Sequence, residues 1–129
     1  MRLVRAAGVL LLLSIVYPAA AQQPGRSYLI YVVNLDVAPA DFNKFMVATR
    51  DNAEASLKDE GCHEFNIGIS NDDPHHVLFF EVYDNSDALS HHQQTDHYKK
   101  YMAATKDMVI KRTTTQLRSV PLNFSSTSK

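Results

Sequence analysis

Cysteine is almost missing from this chain: Cys62 is the only one in 129 residues. No intrachain disulfide can form, so stability must come from burial. Glycine is scarce too, with four in the chain, and no glycine-rich phosphate loop can be read. A G-x-S-x-G nucleophile elbow is also lacking, which leaves no signature of serine acyl chemistry. Cys62 follows the expected C-terminus of a helix, the negative end of its dipole, which opposes thiolate formation. It reads as a small buried hydrophobe rather than a nucleophile. Charge of one sign is not in excess. Without Arg2 and Arg5 the chain has 11 basic and 14 acidic residues, a net charge of −3. Such a balance offers no electrostatic footprint for nucleic acid, and no nucleic-acid partner is expected.

What is present begins with MRLVRAAGVLLLLSIVYPAAAQQPG. A basic head, an apolar run and the small-residue site Ala19-Ala20-Ala21 read as a secretory signal peptide over residues 1–21. The run stops well short of the roughly 20 apolar residues of a membrane span. A soluble product, periplasmic or secreted and free of the membrane after cleavage, is expected. Roughly 105 residues then remain, enough for one compact domain.

After a polar spacer over residues 22–27, SYLIYVVNL has the β-branched and aromatic content of a first strand, apolar on both faces. Pro39 opens a helix of about twenty residues, in which Phe42, Phe45, Met46, Thr49, Ala53 and Leu57 recur at three- and four-residue steps until Gly61. HEFNIGIS alternates as a second strand, and VLFFEVY returns as a third after the turn-rich NDDPHH. His75 and His76 in that turn read as solvent-exposed. Asn85 or Ser86 can cap a second helical region, and KRTTTQLRSV has the threonine content of a last strand. Residues 121–129 are polar and expected to be a disordered tail. The order β-α-β-β-α-β predicts an α+β fold of ferredoxin-like split βαβ type, with helices on one face of an antiparallel sheet. Apolar residues on the other face of the first and third strands predict a homodimer packed sheet to sheet.

Two features carry chemistry. Glu81 lies in an otherwise apolar strand, on the face of Val77, Phe79 and Tyr83. Such an acid must be paired, hydrated in a cavity, or held protonated, which leaves open a structural hydrogen bond or a role in a pocket. HHQQTDHY, residues 91–98, gathers three of the six histidines. In a straight helix His92 and His97 diverge by about 140°. Thr95 and Asp96 are good N-cap residues, and a break there would let the two rings converge. The positions four residues on from His91 and His92 are Thr95 and Asp96, a poor match to helical metal pairs, so no metal site is expected.

The segments KDEGCHEFNIG, HVLFFEVYDNSDAL and HHQQTDHYKKYM, in that order, resemble the antibiotic biosynthesis monooxygenase (ABM) domain family over roughly residues 28–120. EVYDNSDALSHHQQTDHYKKY looks most like the branch of quinol monooxygenases and autoinducer-2 phosphate isomerases. The resemblance implies a dimeric α+β barrel of ferredoxin-like subunits. It implies oxidation of electron-rich phenols, quinols or anthrones by dioxygen without flavin, haem or metal cofactor. Glu81, His92, His97 and Tyr98 fall on motif positions, His92 or His97 being the expected base, and Asn34 and Asn66 would orient a substrate oxygen. The chain has no tryptophan, which haem-degrading relatives use, so haem is not expected. The reading is a cofactor-independent monooxygenase of small phenolic molecules. Its alternatives are a non-catalytic dimeric binding module for a small aromatic or lipid-like ligand, and an isomerase of a small hydroxy-carbonyl compound. Export argues against the phosphorylated isomerase substrate.

Overall fold

The computed structural model describes residues 25–121. The expected leader lies outside the described residues, as do half of the spacer and most of the tail. β1 (Leu29–Val37) is followed by a 3₁₀ turn at Pro39–Asp41 and by α1 (Phe42–Ser56). Then come β2 (Cys62–Ile69), β3 (His76–Tyr83), α2 (Ser86–Gln94), α3 (Asp96–Thr105) and β4 (Val109–Arg118). The four strands form one sheet in the order β2-β3-β1-β4, all neighbours antiparallel. This is the ferredoxin-like α+β arrangement.

Strand alternation sorts the side chains. On β1, Tyr31, Val33, Leu35 and Val37 are buried on the helix-covered face. From β3 the same face receives Val77, Phe79, Glu81 and Tyr83. Phe45 of α1 lies parallel over Phe79 at 6.4 Å, and Phe65 of β2 meets Phe79 at 5.5 Å. The opposite face is apolar in its middle: Val32 stands opposite Phe80, and Ile30 opposite both Val82 and Leu117. Leu78 and Leu117 there remain 36% and 49% exposed.

Two expectations need correction. The first helix is shorter than the twenty residues its periodicity suggests, because Pro39–Asp41 forms a 3₁₀ turn and Ser56 ends the regular hydrogen bonding. Leu57, counted in its apolar stripe, is 51% exposed beyond that end. His75 and His76 are half-buried rather than free in solvent. His76 Nδ1 is 2.7 Å from Asp36 Oδ1 on β1, and the His75 ring stands edge-on to Phe42.

Candidate active site

The site grows from β3, α2, α3 and the turn after α1, with single side chains added by β1, α1 and β4. β3 alternates so that Glu81 must face the helices. It is 4% exposed, and the Tyr83 hydroxyl donates to its Oε2 at 2.7 Å. Burial pushes this carboxyl from the ordinary 4.5 up to about 7, against the opposing effects of the Tyr83 hydrogen bond and the Arg112 charge. Tyr31 lies directly across from Glu81 on β1. Tyr83, placed in the same burial with a carboxylate at its hydroxyl, is held far above the usual phenol range.

α2 starts at Asn85, whose side chain accepts the N–H groups of Asp87 and Ala88. That start turns Leu89 and His92, three residues apart, toward the sheet. His92 is 2% exposed, and its ring sits 5.0 Å from Tyr98 and 5.6 Å from Tyr83. Its Nδ1 is 2.8 Å from Asp59 Oδ2, on the turn between α1 and β2. Burial lowers the imidazole pKa, and the hydrogen bond and charge of Asp59 oppose the shift. The geometry selects the neutral tautomer that donates Nδ1–H to Asp59 and leaves the Nε2 lone pair free.

Thr95 then breaks the helix. Its backbone is extended (φ −66°, ψ 155°). Its hydroxyl donates to the His92 carbonyl at 2.7 Å and accepts from Tyr98 N–H at 3.3 Å, closing α2 and capping α3 with one side chain. The new direction brings His97 beside His92, with ring centroids 5.4 Å apart. His97 Nε2 is 3.1 and 3.2 Å from the two Asp59 oxygens, and Nδ1 is 2.9 Å from Asn52 Oδ1 on α1.

Glu81, His92 and Tyr98 line one cleft together with Tyr31, Asn52 and Arg112. The cleft measures about 10 Å³, the room of a single water. Tyr98 is raised above its ordinary pKa by burial, with Arg112 pulling the other way. Arg112 arrives from β4, where it pairs with Leu35, and its guanidinium donates to Met102 Sδ at 3.4 Å. His97 faces a neighbouring cleft of about 180 Å³ between α1 and α3, and Asn52 and Tyr101 form the wall common to both. Asn34 and Asn66 do not join this site. Alternation puts both on the opposite face of the sheet, Asn34 beside Asp36, His76 and Lys111, and Asn66 donating to Glu64 Oε2 at 3.0 Å. His91 is exposed. Cys62 is half-buried, and burial first, then the charges of Glu81 and Asp59, push its thiol up to about 11.

Sequence reasoning missed Asp59, Asn52, Tyr83 and Arg112. Asn52 had a signal: it lies three residues from Thr49 and seven from Phe45, on the buried stripe of α1. Asp59 had none, because its 33-residue separation from His92 is closed only by the fold.

A helix-covered antiparallel sheet with a buried carboxyl, two adjoining imidazoles and several phenols beneath the helices defines a ferredoxin-like α+β domain built to hold a small molecule. The profile of the antibiotic biosynthesis monooxygenase family matches residues 29–104, and the chain belongs to that family. Among solved structures, a Nitrosomonas europaea protein described as a candidate antibiotic biosynthesis monooxygenase shares 26% identity and a TM-score of 0.71. The match covers 75% of this chain and 93% of that one. A candidate monooxygenase from Lactobacillus acidophilus NCFM shares 30% identity and a TM-score of 0.68, covering 70% of this chain and 44% of that one. An uncharacterized protein of Synechocystis is 27% identical over 78 residues, 60% of this chain. The chain spans about half the length of that curated relative, 53%.

Proposed function

We propose that the chain is a cofactor-independent monooxygenase of quinol-like or phenolic small molecules, exported and working as a homodimer. One observation carries the reading: His92, tethered through Nδ1 to Asp59, shares a narrow cleft with Glu81, Tyr98 and Arg112. In that reading His92 Nε2 takes a phenolic proton, and the Arg112 cation stabilises the resulting anion in a water-poor space. Glu81 and Tyr98 hydrogen-bond the substrate oxygens. The electron-rich anion then reduces dioxygen directly. One oxygen atom enters the substrate ring and the other leaves as water with two substrate hydrogens, the substrate supplying all four electrons. His97 connects the base to the neighbouring cleft through Asp59.

The test is oxygen uptake by the purified protein with a panel of hydroquinones, with product analysed by mass. Accelerated uptake with gain of one oxygen atom, lost in His92→Ala, supports the reading. Uptake no faster than in buffer across the panel overturns it. A second reading, a non-catalytic binding module for small aromatic ligands, is favoured by the narrowness of the cleft, which the protein's own side chains nearly fill. That reading predicts a ligand-induced rise in melting temperature with no turnover.

A further inference from the structure

As a neutral ring, His97 has more acceptors around it than protons to give. Asn52 Oδ1 lies 2.9 Å from Nδ1, and the two Asp59 oxygens lie 3.1 and 3.2 Å from Nε2. A neutral imidazole carries one N–H, so a donation to Asn52 leaves the Nε2 lone pair aimed at a carboxylate. His92 Nδ1 converges on the same carboxylate at 2.8 Å. The three ligand atoms lie within 4.8 Å of one another, on residues that are buried or half-buried. Two imidazole nitrogens and one carboxylate oxygen around a shared point are the donor set of an open zinc-type site.

We propose that Asp59, His92 and His97 form a binding site for a divalent transition-metal cation of the zinc class. His92 Nδ1, His97 Nε2 and Asp59 Oδ2 are the ligands, and a fourth position stays open. Asn52 Oδ1 is the outer partner that fixes the His97 tautomer, as an oxygen acceptor does behind most metal-bound histidines. Donors of a tetrahedral site stand about 3.4 Å apart at ordinary zinc bond lengths. The observed 2.8 and 3.1 Å contacts to Asp59 therefore need to widen by a few tenths of an ångström, and the separation of the two imidazole nitrogens, within 4.8 Å, has to settle at the same value. Access runs through the 180 Å³ cleft that His97 borders. The competing arrangement turns the Asn52 amide so that it donates to His97 Nδ1, while His97 donates Nε2–H to Asp59. It needs no cation and predicts no binding.

Binding does not depend on the oxygenase reading, but one consequence rests on it. Ligation uses the Nδ1 lone pair of His92 and moves its proton to Nε2, which removes the free base from the cleft. Bound metal and turnover exclude each other, so the cation acts as a brake.

The test uses the tag-free full chain, stripped of metal with a chelator and titrated with Zn²⁺ by calorimetry and with Co²⁺ by its visible absorption, without substrate. One cation per chain with a micromolar or tighter Kd is expected, with a four-coordinate Co²⁺ spectrum. His97→Ala and Asp59→Asn should each weaken binding by about 100-fold or more, and Asn52→Ala by roughly 10-fold. His91→Ala should leave it unchanged, with far-UV circular dichroism confirming that every variant is folded. Wild-type protein that takes up no stoichiometric cation overturns the site, as does binding that His97→Ala leaves intact. A preparation without oxygenase activity changes neither result. Where activity is present, turnover undiminished at saturating Zn²⁺ overturns the brake.

Discussion

Glu81 is the residue whose surroundings most contradict its chemistry, and the contradiction has a measurable sign. Its folded carboxyl titrates at about 7, against 4.5 when exposed. Between those values the native state keeps a proton that the unfolded chain has lost. Stability is therefore full below about pH 4.5 and falls as pH rises through about 7, by up to about 3 kcal/mol. Glu81→Gln keeps an acceptor for the Tyr83 hydroxyl and removes this contribution, while the burial-lowered His92 gives the opposite slope in both proteins. Urea unfolding near pH 5 and near pH 8 should therefore show the parent losing stability relative to the variant as pH rises. For turnover, replacing the proposed base in His92→Ala should slow oxygen uptake by about 10²- to 10⁴-fold, read at saturating quinol. At this scale Glu81 was legible, because a charge in a strand of aromatics breaks a pattern. Asp59 was not: an acid in a polar turn breaks none, and only the tertiary fold reveals that two imidazoles meet it. Asn34 and Asn66 broke the pattern of their strands too, yet alternation points them away from the helices.

Among the elements, the junction at Thr95 sets the angle on which the site depends. Thr95→Ala deletes both the α3 cap and the hydroxyl bond to the His92 carbonyl. Chemical denaturation should register a loss of about 1 kcal/mol, while activity should fall further than stability because the two rings lose their alignment. The other fixed point is Gly61, at φ 80°, where an added Cβ would stand 2.7 Å from Ala88 Cβ. Gly61→Ala should destabilise by roughly 1 to 3 kcal/mol in the same experiment, because backbone strain and the clash with α2 act together. The helix break was readable from Thr95-Asp96, since capping chemistry is local. The length of α1 was misread, because an apolar stripe continues through Leu57 after the hydrogen bonding has changed.

For the whole molecule, strand and helix periodicities sufficed to give the class, since a chain apolar on both sides of β1 and β3 needs cover on both. The proposed homodimer follows from the face bearing Val32, Leu78, Phe80 and Leu117. Sedimentation should find two chains at micromolar concentration, and Phe80→Glu should leave monomers that retain the helical content of the parent. The narrow cleft under the sheet also sets the tempo of any reaction there. Dioxygen, little bulkier than the water that just fits, can percolate in between side chains. An aromatic ring needs more room than that, and Tyr98 and Gln93 stand on the cleft wall. Entry of the ring and reduction of dioxygen are then separate steps, and sucrose tells them apart: turnover that declines with solvent viscosity places the slow step at the wall, and turnover indifferent to it places the slow step at the chemistry.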